Sequence, residues 1–256
     1  MTLMHARRRV LILGATSGIA TATARKLALQ GDALALVARN ESRLEEIAND
    51  LKVRGAHDVV LQTADLADTN EPMKLIRTIK SKLGGLDAIL IFYGVLGDQQ
   101  MAEVDMDEAR LIMSVNFSST AEWVLCGATV LEENQCAKSV LLTVSSVAGD
   151  RGRRSNYVYG AAKGGLSILM QGLAHRWSAK AGSPRAVNMK LGFVDTPMTG
   201  GLDKSGPLWA QPEDIADVIA RAMVKGGPNV YAPWFWRWVM IIIRMVPAAI
   251  FSKINL

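Results

Sequence analysis

Two cysteines, Cys126 and Cys136, and three histidines, His5, His57 and His175, are all that 256 residues offer to disulfide or metal chemistry. The cysteines are too few for a disulfide framework, and neither they nor the scattered histidines show metal-ligand spacing, so no metal is expected. Long apolar runs are missing as well. Between Arg237 and Arg244 only six uncharged residues intervene, far short of the ~20 that a spanning helix needs. Near the start, Arg7, Arg8 and Arg9 precede an apolar run that Gly14, Thr16, Ser17 and Gly18 soon break, which does not make a signal peptide. A reducing cytoplasm is therefore the expected compartment. The net charge of +5 is mild and its 29 Lys and Arg are scattered, so no nucleic-acid partner is expected. An anionic ligand or an acidic membrane surface would account for the excess equally well.

What is present is rhythm. Half of the residues are apolar and 21% are charged, as in ordinary globular chains. Strand-like runs at Val10 to Leu13, Ala33 to Ala38, Val59 to Gln62, Ala88 to Phe92, Val140 to Val144 and Ala186 to Leu191 are interleaved with helical stretches. The spacing predicts helices over Ala20 to Gln30, Pro72 to Leu83 and Asn156 to Trp177, with Ser42 and Glu45 as a capping box for another. This alternation predicts an α/β fold, a parallel sheet with helices on both faces. Without a linker, repeat or low-complexity tract, residues 1–232 read as one domain, and 233–256 as an apolar extension of it.

Gly14-Ala15-Thr16-Ser17-Gly18-Ile19-Ala20 falls between the first strand and the first helix. Glycine at 14 permits a tight turn, glycine at 18 lets backbone approach a pyrophosphate, and the helix N-terminus adds N–H groups and a positive dipole end. After the second strand comes Arg39 rather than an acid, which favours a 2′-phosphate and hence NADP(H). Asp65, after the third strand, is placed for an adenine amino group. A solvated arginine and a simple turn aspartate are the rival readings of these two.

Tyr159 and Lys163, four apart in a helical segment, share one helix face. Tyr157 has no such partner, since Ala161 stands four beyond it. An ammonium nearby favours phenol ionisation, which would let Tyr159 exchange a proton with a carbonyl or alcohol near neutral pH. Ser146 could hold the substrate oxygen, although it or Ser145 could equally be a turn residue. Asn116 could anchor a relay water or simply face solvent.

The ordered set of glycine loop, Asp65, Asn116, Ser145-Ser146, Tyr159-x-x-x-Lys163 and Gly192-Phe193-Val194-Asp195-Thr196 resembles the short-chain dehydrogenase/reductase family over about residues 8 to 225. The resemblance implies a Rossmann-type doubly wound sheet and hydride transfer between a nicotinamide and a carbonyl or alcohol. It implies catalytic roles for Ser146, Tyr159, Lys163 and Asn116. Cofactor contacts would fall to Gly14, Thr16, Ser17, Gly18, Ile19, Arg39, Asp65, Gly94, Tyr159, Lys163 and Thr196. Ala20 replaces a family glycine, Ile91-Phe92-Tyr93-Gly94 replaces the usual Asn-Asn-Ala-Gly, and Leu191 stands where proline is common.

Within that family, Tyr93 to Asp98, Ala148 to Arg154, Tyr157 to Gly160 and the tail from Tyr231 to Lys253 are similar to the decaprenylphosphoryl-2-keto-erythro-pentose reductases. That likeness implies a lipid-linked keto-sugar substrate and a flavin oxidase partner. A homodimer or homotetramer, and a place on the inner face of the plasma membrane, are further expectations. An amphipathic tail with Arg237 and Arg244 suits a headgroup boundary; an oligomer interface or a pocket cover would use the same residues. Arg151, Arg153 and Arg154 could bind a phosphodiester or form a solvated loop. A reductase of a smaller apolar ketone, another glycolipid reductase and a cofactor-binding scaffold without catalysis are the competing functions.

Overall fold

Apolar runs of four to seven residues, most of them followed by a turn and a helix, build a sheet covered on both faces. The structure is a computed structural model that describes residues 7–134, 138–201 and 203–254. His5 and Cys136 lie outside the described residues.

In chain order the elements are β1 (Arg9–Leu13), α1 (Gly18–Ala28), β2 (Ala33–Ala38), α2 (Glu41–Val53), β3 (Asp58–Thr63), α3 (Pro72–Lys82) and β4 (Ala88–Ile91). Next come α4 (Gln99–Val104), α5 (Met106–Met113), α6 (Ser119–Glu132), β5 (Val140–Ser146), α7 (Tyr157–Ser178), β6 (Arg185–Leu191) and the short β7 (Phe193–Val194). The chain closes with β8 (Trp209–Ala210), α8 (Pro212–Lys225), β9 (Asn229–Ala232), α9 (Trp236–Met245) and α10 (Ala248–Phe251). Seven parallel strands pair in the order β3-β2-β1-β4-β5-β6-β9. The order reverses between β1 and β4, which opens a crevice at their C-terminal ends.

Side chains alternate across a strand, and the core divides accordingly. Val10, Ile12, Leu34, Leu36 and Leu142 pack with Ala24, Leu27, Leu44, Ile215 and Ile219 on the face covered by α1, α2 and α8. Leu11, Leu13, Val37, Ile89 and Leu141 pack with Ile76, Ile79, Trp123, Leu166 and Met170 on the face covered by α3, α6 and α7. A sheet covered on both sides needs the continuous apolar runs seen in β1, β2 and β4.

Boundaries differ from expectation in instructive places. Helix α1 starts at Gly18, two residues early, because the Ser17 hydroxyl caps it by accepting from the Ala20 amide at 3.2 Å. The Ser42–Glu45 capping box does not form. Asn40 is the cap of α2, its Oδ1 accepting from the Arg43 amide at 3.0 Å, and Ser42 merely donates to that same oxygen. Asn40 wins because it is the last extended residue, whereas Ser42 is already in the first turn.

The tail is a pair of helices and not a span; none of the described helices is long and apolar enough to cross a membrane. Trp236 and Met240 of α9 are buried against Val147. Arg151 donates to the carbonyls of Ile243 and, at 2.7 Å, Val246, and its guanidinium stacks 3.8 Å from the Phe251 ring centroid. Arg151 thus satisfies the open carbonyl end of α9. The expectation that it contributes to a phosphodiester site is corrected accordingly.

Asn40→Ala should lower unfolding free energy by about 1 kcal/mol. Ser42→Ala should cost less than half of that, roughly 0.5 kcal/mol or below, and urea melts of the two variants check the assignment.

Candidate active site

The crevice at the C-terminal ends of β1, β4, β5 and β6 holds a cavity of about 710 Å³, within the range of small-molecule sites. One wall is the start of α1. Gly14 has φ +82°, and its Cα faces Tyr93 so closely that a Cβ would lie 2.7 Å from the Tyr93 nitrogen. Only glycine fits that turn. Its amide and that of Ala15 donate to the Val37 carbonyl at 2.9 and 3.1 Å, which tilts Thr16, Ser17, Gly18 and Ile19 into the cavity lining. The first turn of α1 carries no acidic residue, so the positive helix end is uncompensated and suited to phosphate. Thr196 stands across from Gly18, 3.6 Å from where a Cβ would be, and lines the same space with Gly94. These groups fit a dinucleotide.

The second wall comes from β5 and α7. Ser146 ends β5, its Oγ accepting from the Ala148 amide at 3.1 Å and donating to the Leu191 carbonyl at 3.5 Å. Its neighbour points the other way: Ser145 Oγ donates to the Lys163 carbonyl at 3.0 Å and meets Ser167 Oγ at 3.0 Å. Strand alternation therefore separates the two serines, and of the pair it is the Ser146 hydroxyl that acts on the Tyr159 phenol. Tyr159 and Lys163 both face the cavity, one helical turn apart, while Tyr157 is exposed. Lys163 Nζ is buried, donates to the Val144 carbonyl at 3.2 Å and lies 5.7 Å from the Tyr159 ring centroid.

Burial governs the protonation of this pair. It pushes the Tyr159 phenol up to about 12, with the Ser146 hydroxyl pulling the other way. It pulls the Lys163 ammonium down to about 8. The expectation that the ammonium lowers the phenol is corrected for this chain's own groups, because desolvation of both dominates at that separation. A phenol held neutral at physiological pH is a proton donor.

Asn116 sits in a five-residue π-helical turn, Ser114–Ser118, between α5 and α6, and is fully buried. Its amide donates to the carbonyls of Val95 and Ile112, both at 2.8 Å, and Oδ1 accepts from the Val95 amide at 3.2 Å. It braces the Gly94-Val95 loop against the helix, and the solvent-facing alternative is excluded. Gly94 has no room for a Cβ, which would come 2.7 Å from Asn116 Oδ1 and 3.3 Å from Lys163 Nζ.

Gly14 shapes the turn without itself lining the cavity, and two further expected residues are not brought to it. Arg39 is exposed just past β2 and does not line it. Asp65 lines a separate hollow with Gln62 and Trp123, and its Oδ1 accepts from the Ala67 amide at 3.0 Å, a turn geometry. Three lining residues had not been singled out as site residues: Gln99, Asn156 and Met198. They lie at helix starts or in a short turn, where no periodicity marks a pocket.

The family model for short chain dehydrogenase matches residues 8–206. An uncharacterized oxidoreductase of Mycobacterium tuberculosis is 32% identical over 244 residues, 95% of this chain and 96% of that protein. A second, from Streptomyces coelicolor, is 30% identical over 96% of both chains. Among solved structures, levodione reductase superposes with a TM-score of 0.78 at 23% identity, covering 88% of this chain and 95% of that one. A dehydrogenase of Burkholderia cenocepacia with NADP bound gives 0.77 at 18% identity, covering 88% and 91%. The chain belongs to the short-chain dehydrogenase family. It is an oxidoreductase of that family, whose members use NAD(P), on a Rossmann-like fold.

The Lys163 shift has a thermodynamic consequence. Its folded value lies near 8, below the ordinary 10.5, so between these the unfolded chain holds a proton that the folded one does not. Stability therefore rises with pH across that window. Relative to Lys163→Met, the wild type should gain on the order of 3 kcal/mol from pH 8 to 10.5, read from urea melts of both proteins at stepped pH; a flat difference contradicts it.

Proposed function

We propose that this oxidoreductase reduces a ketone to a secondary alcohol with NADPH, and that the ketone is the 2-keto group of a polyprenyl-phosphate pentose. The observation that carries the reading is the convergence of Ser146, Tyr159 and Lys163 on one wall of a cavity whose other wall is a helix start with no acid in its first turn, suited to phosphate. When bound, the nicotinamide supplies the hydride that becomes the new C–H bond. Ser146 donates a hydrogen bond to the substrate carbonyl oxygen and orients it. Tyr159 gives its phenolic proton to that oxygen as the C=O π bond breaks. Lys163, one helical turn from Tyr159 and donating to the Val144 carbonyl, would hold the ribose, while Asn116 keeps the Gly94 loop in place. Gly14, Thr16, Ser17, Gly18, Ile19 and Thr196 would take the rest of the cofactor.

Arg39, exposed past β2 with no acid at the adjoining strand end, favours NADP(H) over NAD(H) in this reading. Asp65 would meet the adenine only from the neighbouring hollow. Support for a lipid-linked substrate comes from the tail. Trp238, Ile242 and Met245 are 58%, 66% and 76% exposed on α9, with exposed Arg237 and Arg244 beside them, a combination suited to the anionic inner face of the plasma membrane. An oxidase that makes the ketone would be the partner enzyme. The apolar lining of Leu96, Ile112, Phe193 and Met198 also suits a smaller apolar ketone; in that second reading the α9 face pairs copies into a homodimer or homotetramer.

Tyr159→Phe should retain NADPH affinity and lower ketone reduction at least ~100-fold; unchanged turnover removes Tyr159 as proton donor. In cells lacking the protein, mass spectrometry of lipid-linked sugars should show a keto-pentose lipid, and its absence favours the smaller ketone. Changing Trp238, Ile242 and Met245 together to Ser should weaken flotation with anionic vesicles about tenfold or more. Equal flotation assigns the face to self-association, which sedimentation then measures.

A further inference from the structure

The cavity contains one cation that the chemistry above does not use. Arg153 lines it, and its Nε is buried with no hydrogen-bond partner among the described residues. Burial alone lowers its pKa, no acid being among the causes. The one carboxylate that lines the cavity, Asp98, accepts from the Gln100 and Met101 amides at the start of α4. A half-buried guanidinium whose Nε is desolvated and that has no acid beside it is costly, and it persists where an anion completes it.

A second unmet group stands three residues on. Asn156 occupies the N-cap position of α7 but makes no capping bond, and its Oδ1 is buried without a partner while lining the cavity. Its usual duty is performed from outside: Gln99 Oε1 accepts the Val158 amide at 3.0 Å. The asparagine side chain is thereby released from the helix end and offers an acceptor to the cavity. A donor lacking an acceptor and an acceptor lacking a donor, both at the start of the helix that bears Tyr159, describe a ligand with complementary groups.

We propose that Arg153 and Asn156 form a receptor for an anionic, hydroxyl-bearing part of the substrate, phosphate on Arg153 and hydroxyl on Asn156. The inference rests on the cavity being the ketone site. It selects Arg153 from the three arginines of this loop: Arg151 is held by the tail, and Arg154 is exposed. The phosphate could belong to a prenyl phosphodiester or to a soluble sugar phosphate, since the same oxygen cluster satisfies the guanidinium.

The test is calorimetric binding to the full chain saturated with NADP+, so that cofactor phosphate sites are filled. The probes are geranyl phosphate against geraniol and ribose 5-phosphate against ribose. At least one phosphate should bind about tenfold or more tightly than its neutral counterpart. Arg153→Gln should abolish that preference, Arg153→Lys should keep part of it, and Arg154→Gln should keep all of it. Asn156→Ala should weaken ribose 5-phosphate but not geranyl phosphate, with helix content unchanged. Preference for geranyl phosphate identifies the lipid source, and preference for ribose 5-phosphate the soluble one. No phosphate preference in the wild type, or one that survives in Arg153→Gln and Arg153→Lys, overturns the receptor. Tyr159-dependent ketone reduction without phosphate preference overturns the receptor alone, whereas absence of such reduction removes the reading beneath it.

Discussion

The turn after β5 lies against the backbone of α7, and the site depends on that approach. A Cβ on Gly149 would fall 2.6 Å from the Gly164 nitrogen, and one on Gly160 would fall 2.9 Å from the Ala148 carbonyl oxygen. With side chains there the turn would stand off, and Ser146 would leave Tyr159. Glycines inside a helix cost up to ~1 kcal/mol each relative to alanine. Here contact offsets the cost: Ala162, Leu166 and Met170 of the same helix are buried, and Ser145 of β5 ties it down through the Lys163 carbonyl and the Ser167 hydroxyl.

The same turn is held from its far side. Asp150 pairs with buried Lys190 of β6 and accepts from the Tyr231 hydroxyl of β9 at 2.7 Å. Arg151, next along, fastens α9. A segment of a dozen residues between Ser146 and Tyr159 is therefore bolted to the sheet, the tail and α7 at once. Such over-determination is what keeps catalytic side chains within the narrow geometry that proton transfer needs. It also explains why this stretch contains unusual charge for its burial. The Asp150–Lys190 pair is internally compensated, while Lys163 and Arg153 are not. Compensated burial belongs to architecture, and uncompensated burial marks the cavity.

Much of this was legible beforehand. Runs such as Leu34 to Val37 and Ile89 to Ile91 specify strands buried on both faces whatever lies beside them. The four-residue interval from Tyr159 to Lys163 fixes one helix face, and Gly14 to Gly18 fixes a turn and a helix start. Other assignments needed contacts distant in sequence. Ser145 and Ser146 are equivalent on paper, and the pairing of β5 with α7 separates them. Asn156 looks like an ordinary cap until Gln99, from another helix, takes its place. Arg151, Arg153 and Arg154 look alike as a basic cluster, yet one caps the tail, one lines the cavity and one is exposed.

The sequence by itself determined the order of strands and helices and the residue types available for chemistry, because periodicity and turn propensity are local. The tertiary structure decided which serine joins Tyr159, which arginine faces the cavity, and that burial outweighs the ammonium in setting the phenol. Those outcomes depend on desolvation and on partners 18 to 95 positions away, and no local window of sequence contains them.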